Sequence, residues 1–426
     1  MSMMSTLFMM ASGGGSGSGL IGTAGQAGFG QGPYPGDDAD LTALGLTAMD
    51  GVDDVTSENY GCYQHTNGSV VVCVPWHLMR VGNANAPSYS IDGVNALEVM
   101  DYDESMEGVD GWFLPRAFID GGEIKQAYFI DKYLCSKDST GKIAVSVKNK
   151  DPISLSSSYQ NSSSMTGCVG QLKDAITLGK ARGTGWSCCS MAIWANISML
   201  SLAHGQAATS AEACGWYDSA HSTNFPKGNN ANTKGANKDT NDKSISFTNH
   251  VDNGSFSKTG SANPLNKTTH NGQNCGICDV NGNFWQVVIG TGWVNGRNAP
   301  LKESYKISDI TTSNVTTASM YEDPGVATGG NGAYWGSGSN ACFFTDVSGP
   351  KRGINGMYPP TAGVSSSGTN LFGKDCIYSL SNMSFVPLVG GYCNDGSNAG
   401  VFYRNYDSSW SGGDNYCSFR AAGYAP

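Results

Sequence analysis

Apolar and polar residues alternate over short stretches along most of this chain, and the pattern predicts many short strands and few helices. CYQHTNGSVVVCVPWHLMRVG, from Cys62, reads as two strands joined at Asn67-Gly68, a dipeptide that favours a tight hairpin. The apolar run Val70 to Val74 stops at Pro75, and a further short strand is expected around Ile91. Ala127 to Tyr133 is an aromatic-rich strand. Two helical patterns follow. The stretch 164–183 has a polar start and a glycine stop. In 187–205, Ile193, Ile197 and Leu200 repeat at helical spacing beside Trp194, with Gly205 as the expected C-cap. The first is expected to be amphipathic and the second largely buried. Residues 224–274 are polar and loop-like, Phe284 to Ile289 is a strand, and 300–390 reads as short strands between glycine-rich turns.

This order predicts an α+β protein with three parts. Residues 1–50 are Met-rich, then Gly/Ser-rich, then Gly/Pro-rich, and are expected to be a flexible segment with one helical turn over Leu41 to Leu46. Residues 51–97 are expected to form a small β module, and 98–426 the main domain. The last stretch, from Gly390, sets apolar islands (Ala399 to Phe402, Phe419 to Ala422) among Tyr, Trp, Asn, Asp, Ser and Gly. Binding loops have that composition: large rings give contact area at low entropy cost, and small polar residues adapt. Arg404 and Arg420 each follow an aromatic residue inside an island and are expected to pair within the fold.

Composition narrows the function. Charged residues make up 14% of the chain, against about 25% in ordinary domains, and glycine is 58 of 426, so turns dominate. The net charge of −10 without a basic run argues against nucleic acid and anionic membranes as partners. No apolar stretch approaches the ~18 residues of a membrane span, and the Met-rich start lacks the basic region of a secretion signal. The thirteen cysteines are scattered and odd in number, which favours buried thiols, with Cys393 and Cys417 as the pair most suited to oxidation.

Candidate chemistry is sparse. The six histidines (65, 77, 204, 221, 250, 270) contain no i, i+2 or i, i+4 pair. His204 is expected to serve as a cation at a helix C-terminus. Cys275-Gly-Ile-Cys278 has no partner pair for a zinc ribbon and leads into a strand. Asp279, Asn281 and Asn283 place oxygen side chains at alternate positions around Gly282, which suits either calcium or a turn held by Asx hydrogen bonds. An EF-hand is excluded, because the twelfth position from Asp279 is Gly290.

Four strings in this order resemble a known family: FIDKYLCSK (129–137), GTGWSCCSMAIWANISML (183–200), HNGQNCGICDVNGNFWQVV (270–288) and CSFRAAG (417–423). They are similar to the formylglycine-generating-enzyme-like branch of the C-type lectin fold, over roughly 98–426. Its enzymes resemble copper thiol oxidases with two cysteines close together near the final strand. Here no cysteine follows Cys417, Cys393 lies far upstream, and the acidic helix is replaced by SMAIWANISML. Catalysis is therefore not expected.

Within the same fold, the closing segment resembles the variable region of diversity-generating retroelement target proteins, phage tropism determinants among them. GSNAGVFYRN (396–405) and SFRA look like framework within a variable region at 391–420. The resemblance implies Tyr392, Asn394, Asp395, Tyr406, Asp407, Ser408, Ser409, Trp410, Asp414 and Tyr416 as ligand contacts. It further implies a phage virion receptor-binding protein, homotrimeric, that recognises a host-surface protein or glycan and docks on other virion proteins through its N-terminal region. The rival expectations are a thiol oxidase of the formylglycine-generating type and a structural decoration protein of the virion.

Overall fold

Short strands are stable only when several pair over a common core, and the described residues solve this with two sheets sharing one helix. The structure is a computed structural model; it describes residues 20–219, 224–329, 332–346, 349–378 and 385–426. It is a mixed α+β protein with few helices and many short strands.

The first sheet has six antiparallel strands in the order Leu46–Ala48, Cys62–His65, Val70–Pro75, Ala127–Asp131, Ala421–Gly423, Trp186–Cys188. The expected hairpin is present: Tyr63 pairs with Val71, and Gly68 takes φ +88°, which a side chain resists. Side chains alternate between two cores, as strand geometry requires. Val72, Val74, Tyr128, Ile130 and Ala422 face the main core, while Val71, Cys73, Phe129 and Ala421 face a smaller cluster with Leu41, Leu44 and Trp186. Being covered on both faces explains why these strands are apolar throughout rather than alternating.

The second sheet has seven strands in the order Val364–Ser365, Ala333–Trp335, Cys376–Tyr378, Arg404–Asn405, Leu388–Val389, Trp285–Val287, Cys417–Phe419. Two pairings are parallel, 376–378 with 404–405 and 285–287 with 417–419. The helix Met191–Ala207 lies between the sheets. Its cap is Ser190, whose hydroxyl accepts the Ile193 N–H at 3.1 Å. Toward the first sheet, the Asn196 carbonyl accepts from Tyr128 Oη at 2.8 Å. Toward the second, Trp194 Nε1 donates to Val401 O at 2.9 Å and Arg404 donates to Ser198 Oγ at 3.1 Å. The helix is buried from Met191 to His204 except at Ala192, as expected. Among the described residues no helix is long and apolar enough to cross a membrane.

Several expectations need correction. Residues 1–19 lie outside the described residues, but 20–50 are packed. Ile21 and Phe29 are buried in the main core, and the helix Asp38–Ala43 covers the outer face of the first sheet. Phe29 stacks on His204 at 5.3 Å, and Gly25 N–H donates to His204 Nδ1 at 3.1 Å. His204 is thus an acceptor at Nδ1 and a donor at Nε2, to Ala213 O. Burial pulls its pKa down to about 4, so it is a neutral clamp on the N-terminal segment, not a cation at a helix end. Residues 51–97 are not a separate module, because Val70–Pro75 pairs along its length with Ala127–Asp131. The helix expected at 164–183 is confined to Asp174–Lys180. Its polar lead-in is wound into turns around the Asp174 carboxylate, which accepts from Ser162 Oγ at 2.7 Å and Gly170 N at 2.8 Å. Around Ile91 the chain makes a helical turn, Tyr89–Asp92, with Ile91 exposed. Gly205 is not a cap. The helix continues to Ala207, and a Cβ at Gly205 would lie 2.9 Å from the Trp216 ring.

The two sheets are joined at Arg420, between strands 417–419 and 421–423. This buried guanidinium donates to Gln286 Oε1 (2.7 Å), Asp131 O (2.9 Å), Lys132 O (3.0 Å) and Cys278 O. The same joint holds a buried ion pair. Asp131 accepts from Arg182 Nη2 at 2.8 Å and from the Ala421 N–H at 2.7 Å. Arg404 is likewise internal, donating to Val401 O, Tyr403 O and Gly356 O. Both arginines pair within the fold.

Candidate functional site

The segment 390–416 leaves the second sheet and returns to it through turns fixed mainly by main-chain bonds. At the first turn, Cys393 N donates to Asn283 O (3.0 Å), Asn232 N donates to Cys393 O (2.6 Å), and Gly396 N donates to Asn230 O (2.9 Å). The polar stretch 224–274, which no local pattern explained, therefore buttresses this turn. At the second turn, Lys173 N donates to Trp410 O (3.1 Å), Leu172 N to Gly412 O (2.8 Å) and Asp414 N to Leu155 O (3.1 Å). The Asp174-centred turns thus present backbone donors to residues 410–412. In both places the route of the chain is set mainly by backbone groups, with Asp395 and Asp414 adding side-chain acceptors, so the exposed side chains are not needed to hold it.

Of the expected contact residues, Asn394, Asp407 and Ser409 are exposed, and Tyr392, Asp395, Ser408, Trp410, Asp414 and Tyr416 are half-buried. Tyr406 is corrected to a core residue. It is 2% exposed, its hydroxyl donates to Met357 O at 2.9 Å, and its ring packs 5.3 Å from Tyr358. The parallel pairing of 404–405 with 376–378 draws Tyr406 inward, and its N–H donates to Tyr378 O. Asp395 is directed inward: one oxygen, Oδ2, accepts both Trp285 Nε1 and Tyr392 N at 2.9 Å. Burial raises its pKa from 3.8 to about 6, against the lowering effect of those two bonds.

The rings form a row. Trp285 lies 4.2 Å from Tyr392, which stacks on Tyr416 at 5.4 Å, which stacks on the buried Phe256 at 5.5 Å. Tyr159 extends the row, 6.1 Å from Phe256. Trp410 stands apart, with Lys173 Nζ 4.8 Å above its ring. Sequence reasoning missed Trp285 and Tyr159. Trp285 looked like an ordinary strand residue, although it occupies the outward position between the buried Phe284 and Gln286. Tyr159 was legible as the lone aromatic in a run of Ser and Asn.

The turn at 279–283 is structural. Asp279 accepts from Gly260 N at 2.7 Å, Asn281 from Asn230 Nδ2 at 3.2 Å, and Asn283 from Ser257 N at 2.8 Å. N–H groups aimed at one oxygen of each side chain make this turn an anchor for the 224–274 stretch. All thirteen thiols are free. Cys393 and Cys417 lie in different apolar clusters. Burial pushes the Cys393 thiol up to about 12 and the Cys417 thiol well above its usual range.

These features define a mixed α+β scaffold that presents an aromatic surface on main-chain-anchored turns. No family model and no curated protein matches the chain. Among solved structures, the chain is similar to a Major Tropism Determinant U1 Variant, at 10% identity and a TM-score of 0.27, over 92% of this chain and 86% of that one. Overlap of that extent defines no common fold, and the functional reading rests on the geometry above.

Proposed function

We propose that this chain is a phage virion protein that recognises a host-surface receptor through residues 392–416, breaking no bond. The observation that supports it is the division of labour in the two turns: Cys393, Gly396, Trp410, Gly412 and Asp414 are tied by main-chain groups, while Asn394, Asp407 and Ser409 face solvent. A surface built this way tolerates exchange of its outward side chains without loss of fold. The reading includes the finer expectations: a C-type-lectin-like fold of the formylglycine-generating-enzyme-like branch, assembly as a homotrimer whose several sites add avidity, and docking on the particle through the N-terminal region. The rival thiol oxidase needs an accessible thiolate, and the Cys417 thiol is fully buried.

The test is adsorption. Particles carrying Asn394→Ala, Asp407→Ala and Ser409→Ala together are expected to assemble in normal number and lose at least about tenfold in host adsorption, roughly 1.4 kcal/mol of binding. Unchanged adsorption would overturn the proposal in favour of a decoration protein.

A further inference from the structure

We propose that the receptor-binding surface extends beyond 392–416 onto Trp285 and Tyr159, and that the strip of rings takes an extended, proline-rich polypeptide segment of the receptor. The inference rests on the receptor-binding reading and names its ligand class.

Three observations carry it. First, the row is continuous. Trp285, Tyr392, Tyr416 and Tyr159 are all half-buried; the first three touch in succession, and the buried Phe256 links Tyr416 to Tyr159. Rings arranged in a row suit an extended ligand better than a compact one.

Second, Tyr159 is held against backbone preference. Its φ is +54°, a region that bulky residues avoid. Strain of this kind persists only where the surroundings impose it, and it concentrates at functional sites. Here Tyr159 O accepts from Asn161 N at 2.8 Å, and Ser154 N donates to Gln160 O at 2.9 Å. The result sets the ring beside Phe256 at the far end of the row.

Third, the hydrogen-bonding character of the strip is one-sided. Asn394 Nδ2 donates to Tyr392 Oη at 3.1 Å, and Asn253 Nδ2 donates to Tyr159 Oη at 3.2 Å. Each phenol already receives a hydrogen bond and keeps its own proton to give, so the strip offers donors to its ligand. A proline-rich segment is the matching partner: it brings carbonyl acceptors, lacks N–H groups at each proline, and leaves its carbonyls unpaired in the polyproline conformation. Aromatic-lined surfaces recognise such segments generally. The strip is flanked by Asp414, which accepts from Tyr416 N at 2.7 Å. This carboxylate favours a basic residue beside the prolines and opposes an anionic ligand. A glycan presents donors and acceptors equally and gains nothing from this one-sidedness.

In the test, the full chain is panned against a displayed library of random dodecapeptides. Selected peptides are then titrated by tryptophan fluorescence against the wild type, Tyr159→Phe, Tyr392→Phe and Tyr159→Gly. Expected are sequences with two prolines three residues apart and an adjacent Arg or Lys. The two Phe variants, which remove only a hydroxyl, should each weaken binding about three- to tenfold. Tyr159→Gly, which suits the positive φ, should weaken it by about tenfold or more. Thermal melts of the Phe variants unchanged from wild type exclude unfolding as the cause. Selection without proline, or affinities that ignore Tyr159 and Tyr392, overturn the proposal. Binding to neutral oligosaccharides on a printed array that Tyr159→Gly abolishes also overturns it, assigning the strip to a glycan. If adsorption depends on Asn394, Asp407 and Ser409 while no proline-rich peptide binds, the receptor-binding reading stands and this one falls.

Discussion

Replacing Asp395 by Asn separates the charge of this side chain from its shape. Both N–H groups that reach it, Trp285 Nε1 and Tyr392 N, bond to the same oxygen, Oδ2. An asparagine carbonyl in that place accepts both, so the turn is kept while the carboxylate is lost. Burial raises the Asp395 pKa to about 6 from an ordinary 3.8. In the folded state the neutral form is therefore favoured, and the side chain's contribution to stability is fully present below its unfolded pKa and is lost as pH rises through 6. At about 1.4 kcal/mol per pH unit the loss is about 3 kcal/mol by neutral pH. The ionisable groups around it, Cys376, Tyr378, Tyr392, Cys393 and Tyr403, are all raised from values of 9 or more, so Asp395 titrates alone in this window. Urea denaturation of wild type and Asp395→Asn from pH 4 to 8 should show the variant gaining about 2.4 kcal/mol on the wild type between pH 4 and 7, with most of the change between 4 and 6. A difference that stays constant with pH would refute the reasoning.

Two further outcomes are expected. Arg420→Met leaves Gln286 Oε1 and the main-chain carbonyls of Asp131, Lys132 and Cys278 without their charged donor at the joint between the sheets; at ~1–3 kcal/mol for each acceptor stranded, soluble yield should collapse, and any folded fraction should be less stable by at least ~4 kcal/mol. Cys168 is the sole cysteine not fully buried, with a thiol pushed up to about 12, so an aromatic disulfide reagent should modify at most one thiol slowly in native protein, none in Cys168→Ala, and all thirteen in denaturant.

What the sequence reveals here is what local pattern controls. The hairpin at Asn67-Gly68, the strand at 127–131 and the buried helix at 191–207 each carry their own signal in turn residues or apolar period. Tyr406 does not: it sits in the same Tyr/Asp/Ser context as Tyr416, and only the pairing of 404–405 with a strand contributed by 376–378 turns it inward. The stretch 20–50 misleads for a related reason. Its composition is that of a linker, yet its order comes from distant partners: His204 for Phe29 and Gly25, and the Asn271 side chain, whose amide donates to Phe29 O at 3.1 Å. The helix expected over 164–173 fails because the Asp174 carboxylate competes for the backbone N–H groups that would start it. Composition located the turns of 390–416, whereas the ring contacts of Trp285 and Tyr159 arise from packing across the chain.

The position of residues 421–423 bears on the order of events during synthesis. They form an inner strand of the first sheet, between 127–131 and 186–188. Until they emerge from the ribosome, those two neighbours keep open edges, the condition under which nascent chains pair wrongly or aggregate. Closure is thus deferred until the whole of 392–416 has been translated. A chain interrupted within that segment would lack its sheet's inner strand and be left to proteases, so every copy that folds carries the whole of 392–416.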